Sequence, residues 1–145
     1  MLAGEITYTT IARLTAGNID DIMCTAIEGG IGYWAVLDNS TTDWEETEAK
    51  LRQEQNDIPT YSEVATTMLF EGKKIRFFDT DAETTLVDKE DAESVWYLDL
   101  EKFTKGCRLY EEKYGSIRLK LETDFDANDA DAIIQLALFG EIVFG

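Results

Sequence analysis

Residues 18–34 read NIDDIMCTAIEGGIGYW, and this stretch leaves few folds open. Ile19, Ile22, Met23, Ala26 and Ile27 recur at helical spacing and draw one apolar stripe, so a helix here must be covered by other structure. Asn18 is the candidate N-cap, because its side-chain oxygen can accept from the free amides of the first turn. Asp20 and Asp21 then fall where the helix dipole favours negative charge. Gly29 and Gly30 should end the helix, since glycine accepts the left-handed conformation of a C-terminal cap. Tyr33 and Trp34 follow on residues 31–37, which read as a buried strand.

The rest of the chain mixes strand and helix signals. Residues 5–14 alternate, with Ile6, Tyr8 and Ile11 among threonines, and predict a first strand. Residues 39–57 are polar, with Trp44 and Leu51 as the main large apolar side chains. They read as a solvated helix on a variable insertion near 39–59, closed by Pro59. Residues 61–70 fit a short helix through Val64, Met68 and Leu69, or a strand through Thr66 and Thr67. Strands are expected over 73–78 and 94–98, with a short one over 84–87 inside the acidic stretch 79–93. Asp99 should cap a second long helix over 100–114, with Leu100, Phe103, Cys107 and Tyr110 down one side. Gly106 in its middle costs about 1 kcal/mol relative to alanine, which points to a close packing contact or a less regular helix.

Alternation predicts a strand over 117–121. A third helix over 126–138 carries Ala130, Ile133, Ile134, Ala137 and Leu138 and stops at Gly140, after which residues 141–145 should pack down. The expectation is one α+β domain over residues 1–145, an antiparallel sheet with about three helices packed on it as a single pair of layers.

Charge narrows the function. Thirteen basic residues stand against thirty acidic ones, for a net charge of -17. Such a field repels nucleic acid phosphates and anionic membranes and attracts basic protein surfaces. The chain has no histidine, which removes the commonest general base and the commonest transition-metal ligand. Zinc, haem and Ser-His-Asp chemistry are therefore disfavoured, and no cofactor or metal is expected. Cys24 and Cys107 fall on predicted helices and read as reduced core thiols. The opening MLAGEITYTT has no basic region followed by an apolar run, so no signal peptide is expected, and no stretch approaches the ~20 apolar residues of a membrane span. The expected location is the cytoplasm of a bacterial host.

Several constellations invite a sharper reading. Asp79, Asp81, Glu83 and Glu90 copy the carboxyl spacing of an EF-hand loop, but Thr84 stands where the loop needs glycine. Asp124, Asp126 and Asn128 begin a second such pattern, with Asp129 for the glycine and Gln135 for the closing Glu. Solvated acidic loops are the better reading of both. Lys73, Lys74 and Arg76, then Lys102, Lys105, Arg108 and Lys113, with Arg118 and Lys120 beyond, could grip a phosphate or carboxylate. Internal pairing, such as Glu101 with Lys105, is favoured given the excess of acids. Gly29, Gly30 and Gly32 follow a helix and precede a strand, the reverse of the order that aims amides at phosphate. Tyr33, Trp34, Trp44, Trp96 and Tyr97 could line a stacking pocket, although core packing is the commoner use of such residues.

Two motifs carry a resemblance. The helix running into EGGIGYW (residues 28–34) and the ending DANDADAIIQLALFGEIVFG (residues 126–145) resemble a family of small proteins carried by phages, prophages and plasmids. Its members share E-G-G-x-x-Y-W and D-A-x-x-A-D-x-x-x-Q-x-x-L-F-G-E-x-V-x-G. The matching positions are Glu28, Gly29, Gly30, Tyr33, Trp34, Asp126, Ala127, Ala130, Asp131, Gln135, Leu138, Phe139, Gly140, Glu141, Val143 and Gly145. The resemblance implies a mobile-element context and no particular chemistry.

Among these residues Glu28, Asp131, Gln135 and Glu141 are polar groups beside apolar stripes. Asp131 and Gln135 stand four apart on one helix face. They could hold the glycine loop through its free amides, which is the favoured reading, or form the polar wall of a partner or ligand site, or act as a catalytic carboxylate pair. The functional expectation is a non-enzymatic acidic binding protein that docks on a host or phage protein with a basic surface, inhibiting a defence or DNA-acting factor. Its candidate site is Glu28, Gly29, Gly30, Tyr33, Trp34, Asp131, Gln135 and Glu141. The alternative is a protein that sequesters a nucleotide-like small ligand in an aromatic and basic pocket.

Overall fold

A computed structural model describes residues 2–7, 13–81 and 94–145. Among them the organising stretch forms a helix, α1 (Ala16–Thr25), that starts earlier than Asn18. Thr15 is the cap: its hydroxyl accepts from the Asn18 amide at 3.1 Å, and the Asn18 side chain accepts from the Thr15 amide at 3.0 Å. The reciprocal box lets the preceding strand run straight into the helix and buries Ala16. Asp20 and Asp21 consequently lie beyond the first turn, which holds no acidic residue. Past Thr25 the helix widens into a π turn (Ala26–Gly30), with the Ile31 amide donating to the Ala26 carbonyl at 3.1 Å. Neither Gly29 nor Gly30 is left-handed; both stay within the turn. The amides of Trp34 and Ala35 both donate to the Ile31 carbonyl at 2.9 Å, so the expected strand over 31–37 shrinks to β3 (Ala35–Leu37). The three-residue strands β1 (Glu5–Thr7) and β2 (Arg13–Thr15) pair antiparallel, with Ile6 opposite Leu14, where one strand over 5–14 was expected.

The polar stretch after β3 is helical and largely solvated, as expected, yet one face is anchored in the core. It forms α2 (Thr42–Gln55), whose Trp44, Thr47 and Leu51 are buried at a spacing of three and four. They pack against α3 (Tyr61–Phe70), and Trp44 meets the Tyr61 ring edge-on at 5.7 Å. A capping box between Thr60 and Glu63 decides residues 61–70 for helix. The main sheet is antiparallel in the order β3–β4–β5, with β4 (Ile75–Asp79) central and β5 (Val95–Leu98) at the edge. Arg76 pairs with Tyr97 and Phe77 with Trp96. Strand alternation therefore turns Ile75, Phe77 and Leu98 toward the core and Arg76 with Tyr97 the other way. The strand expected over 84–87 lies outside the described residues.

Asp99 caps α4 (Leu100–Tyr114) by accepting from the Lys102 amide. Residues 117–121 do not form a strand. Ser116 caps them as the short helix α5 (Ile117–Thr123), which buries Ile117 and leaves Leu119 exposed. The Glu111 carboxylate accepts from the Ile117 amide at 2.7 Å and helps fix that start. Last comes α6 (Ala127–Phe139), capped by Asp126 and closed by Gly140 at φ +75°.

The described residues thus hold six α-helices, a π turn and two small antiparallel sheets, more helix and less sheet than the single layer pair expected. The fold is α+β, and α6 is its centre. Seven of its residues are buried, because α4, the π turn, α1 and β5 all pack on it. The closest approach is at Gly106 of α4, where a Cβ would lie 2.7 Å from the Ile133 carbonyl oxygen and 2.6 Å from the Ala137 Cβ.

The carboxylates set a pH profile. Burial would raise the Asp38 carboxyl, but Ser40 and the Arg76 guanidinium outweigh it and hold it below the usual range. Asp129 is likewise lowered: burial opposes, while the Tyr110 hydroxyl, the Asp126 amide and Lys120 prevail. A lowered folded pKa gives stability that is present above the unfolded value and lost as pH falls through the folded one. Asp20 goes the other way. Burial raises its carboxyl, Glu63 and Asp21 add to that, and one of its oxygens is buried without a hydrogen-bond partner among the described residues. Its protonation favours the folded state, as does relief of the net charge of -17. Thermal melts should therefore show stability rising from pH 8 to about pH 5 and falling below about pH 4, where carboxylates ordinarily protonate. A monotonic loss from pH 8 downward would contradict this.

Candidate functional site

The two sequence motifs meet at Asp131. This carboxylate, 9% exposed on α6, accepts from the Tyr33 hydroxyl at 2.5 Å and from the Trp34 indole N–H at 2.8 Å. Gln135, one turn further along, donates to Asp131 at 2.9 Å and is itself buried. Its side-chain carbonyl accepts from the amides of Val143 and Phe144 at 2.7 and 2.8 Å, and its amide donates to the Phe144 carbonyl at 3.1 Å. A side-chain amide here completes the backbone hydrogen bonding of the final residues, as a neighbouring strand would. Asp131 and Gln135 therefore hold the Tyr33–Trp34 pair and the chain end. They do not hold the amides of the glycine loop.

Aromatic packing completes the junction. Phe144 stacks on Trp34 at 4.9 Å and 9° between planes, and Trp96 and Phe139 close round them at 5.5–5.6 Å from Trp34. Trp34 is buried and Tyr33 is 55% exposed, so of the pair only Trp34 is core. Gly30 has a role in the approach of the π turn to α6. A Cβ there would meet the Ala127 carbonyl oxygen at 2.9 Å and the Asp131 amide at 3.4 Å. We expect Gly30→Val to lower stability by about 2 kcal/mol, the usual scale of overpacking against a fixed wall. Glu46→Ala, on the exposed side of α2, should stay within about 0.5 kcal/mol. Thermal melts of the two variants compare them, and equal melting would remove Gly30 from the junction.

Beside this junction lies a cleft of about 510 Å³. Its walls include Tyr33, Trp34, Asp131 and Phe144, which the motifs bring, and Asp79, Asp81 and Asn128, which they do not. The turn after β4 reaches it because the Thr80 amide donates to the Trp34 carbonyl at 3.1 Å and its hydroxyl to the Gly32 carbonyl at 3.1 Å. The Asp81 amide donates to the Asp79 carboxylate at 2.8 Å, and Asp81 itself is exposed. Among the described residues that line it are three aspartates and no cation, so these walls favour positive charge beside aromatic faces. Burial, reinforced by the hydrogen bond and charge of Asp131, pushes the Tyr33 hydroxyl up to about 12, so it keeps its proton at neutral pH. Asp131 has its oxygens committed to three donors. A hydroxyl held as high as that of Tyr33 does not serve as a general base near pH 7.

The other candidate residues lie apart. Glu28 is exposed and accepts from the Cys24 thiol at 3.3 Å, beside a smaller cavity walled by Ile27, Pro59 and Tyr61. Gly29 has open space around it, and Glu141 is exposed. Cys24 is half-buried and Cys107 buried, both free thiols. Trp44 is core, while Tyr97 is half-exposed. The basic residues pair in part: Arg76 with Asp38, Lys73 and Lys50 with Glu71, and Lys120 with Asp129. Glu101 and Lys105 form no such bridge.

The Asp126 carboxylate caps α6, which removes it from the second calcium-like pattern. Of the first pattern, Glu83 and Glu90 lie outside the described residues. Among the described residues no group of three or more Cys, Asp or Glu is arranged to hold a metal, and no helix is long and apolar enough to cross a membrane. Sequence reasoning missed Asp79, Asp81, Asn128 and Phe144. Asp79 and Asp81 drew notice only as calcium ligands, and nothing local ties them to Tyr33. No protein-family model, no curated protein and no solved structure matches the chain.

Proposed function

We propose that the chain is a non-enzymatic binding protein that docks on a basic surface of a partner protein, with the Tyr33–Asp131–Phe144 cleft at the centre of its contact. The observation that carries this reading is the cleft itself, where three aspartates stand among exposed and stacked aromatic side chains, with no cation among the described lining residues. An arginine or lysine entering it would meet carboxylates and aromatic faces together, the combination that makes a charged residue an anchor in an interface. The net charge of -17 adds long-range attraction to such a partner and repulsion from nucleic acid backbones and anionic membranes. The resemblance to proteins of phages, prophages and plasmids makes a host or phage protein the partner, and inhibition of a defence or DNA-acting factor the consequence. An acidic surface would then occupy the ground that phosphates take on that factor. The same context favours the bacterial cytoplasm as its location.

Capture of partners from host and infected lysates tests this, with Asp81→Lys as the comparison. Asp81 is exposed and its carboxylate accepts no hydrogen bond among the described residues, so its reversal is expected to leave the described fold intact. The expected result is a partner retained by the parent protein and lost with Asp81→Lys. Its association rate should fall at least ~10-fold between 50 and 500 mM salt, because screening acts chiefly on the encounter. Recovery that is indifferent to Asp81→Lys and to salt would reject docking through this cleft.

A further inference from the structure

A second cleft has the opposite chemistry. It lies where the start of α2 faces β4 and β5, with a volume of about 520 Å³, and Thr42, Asp43, Lys73, Lys74, Arg76 and Tyr97 are in its wall. Three of the chain's thirteen cations thus fall within four positions and open onto one cavity. Two of them are fixed in place. The Arg76 guanidinium is buried and bonded to Asp38, and the Lys73 ammonium donates to the Thr47 hydroxyl at 2.8 Å and pairs with Glu71 at 3.1 Å. Lys74 is exposed and has no carboxylate partner among the described residues, so its charge is available to a ligand.

We infer that this cleft binds a phosphate monoester carrying a planar ring, a small ligand of the nucleoside monophosphate class. Phosphate is a compact dianion with several acceptor oxygens, which suits a point-charge lysine beside ordered cationic heads. Thr42 adds a hydroxyl. The amides of Thr42 and Asp43, with no acceptor inside α2, add donors, since the Thr41 side chain and carbonyl are taken by Trp44 and Glu45. The half-exposed Tyr97 ring stands across from Arg76 in the strand register and offers a flat apolar face. The cavity exceeds what phosphate alone would fill, so the ring has room. Asp38 and Glu71, paired with Arg76 and Lys73, take up part of the charge of those two heads, so attraction rests chiefly on Lys74 and the first amides of α2, while more distant acids are largely screened at physiological salt. Asp43, the one carboxylate among the described residues of the wall, opposes binding, and this gives the inference a variant that should gain affinity.

Titrating the isotope-labelled protein with adenosine monophosphate at constant ionic strength, followed by amide NMR shifts, tests it. Inorganic phosphate and adenosine serve as the comparison probes. Saturable shifts are expected at Thr42, Asp43 and Lys74, with weaker binding of phosphate at the same amides and no binding of adenosine there. Lys74→Ala should weaken the monophosphate by about threefold to tenfold, and Asp43→Asn should tighten it by a similar factor, as for one partly solvated charged contact. Both positions are exposed, so folding is not at issue. Absence of saturable shifts, or affinity unchanged in both variants, would overturn the site. Adenosine binding as well as its monophosphate would overturn the phosphate assignment, and phosphate binding equally tightly would overturn the ring. Because the site shares no residue with the acidic cleft, its failure leaves the docking reading untouched.

Discussion

Gly106→Val should be among the most destabilising single changes in this protein, lowering Tm by about 10 °C or more in a thermal melt. A Cβ at this position would lie 2.7 Å from the Ala137 amide nitrogen and 2.7 Å from the Ile133 carbonyl oxygen. These are backbone atoms of the central helix, and they cannot swing aside as a side-chain tip would. Separating α4 from α6 would loosen Phe103, Cys107 and Tyr110 on one side and Ile133, Ile134 and Ala137 on the other, all of them buried. Overpacking of this kind costs about 3 kcal/mol or more, a large fraction of the stability of a domain.

Gly106→Ala gives the sharper contrast. In an exposed helix that change stabilises by about 1 kcal/mol through propensity. Here it should destabilise, because even one methyl meets Ala137. Unchanged or raised melting in both variants would mean that α4 and α6 do not approach as described.

The second large effect belongs to Asp131→Leu. The substitution removes the acceptor of the Trp34 indole, the Tyr33 hydroxyl and the Gln135 amide together. A buried donor without a partner costs about 1–3 kcal/mol, and Trp34 and Gln135 are both buried. A total loss near 3 kcal/mol is expected by chemical denaturation. Asp131→Asn keeps an acceptor for Trp34 and Gln135 and should lose about 1 kcal/mol. Gln135→Leu should act more locally. The amides of Val143 and Phe144 lose their acceptor, so faster hydrogen exchange at the chain end should outpace any loss of global stability. Equal stability of Asp131→Leu and Asp131→Asn would show that the carboxylate does not organise the junction.

Much of this was legible where the signal is local. The third helix could be read from the Ala130, Ile133, Ile134 and Ala137 stripe and from Gly140, because periodicity and a left-handed stop are properties of neighbouring residues. Gly106, at a cost of about 1 kcal/mol in a helix interior, announced either a close packing contact or a less regular helix, and the contact with α6 is what the fold holds. Legibility failed where a competing local solution won. Thr15 outdid Asn18 as the cap because the two complete a reciprocal box. Residues 117–121 alternate, yet Ser116 and Glu111 supply the hydrogen bonds that start a helix. The widening of the helix at Ala26–Gly30 left no trace in periodicity, since a π turn adds a single residue to the count.

The site was half visible for a related reason. Asp131 and Gln135 stood out as polar residues on an apolar helix, but their partners lie 97 residues upstream and at the chain end. Pairing over such distances is decided by tertiary packing. Asp79 and Asp81 join Tyr33 only through the β3–β4 register, with Ala35 opposite Asp79, and Thr80 fastens that turn to Gly32 and Trp34.

The most direct measurement of the docking reading is hydrogen exchange of the chain, free and in complex with the partner it captures. Slowed exchange is predicted around Gly32 to Ala35, at Asp79 to Asp81, near Asn128 and over the final three residues, the segments that wall the acidic cleft. Protection confined to α2 or α5, with those segments exchanging as in the free protein, would contradict it.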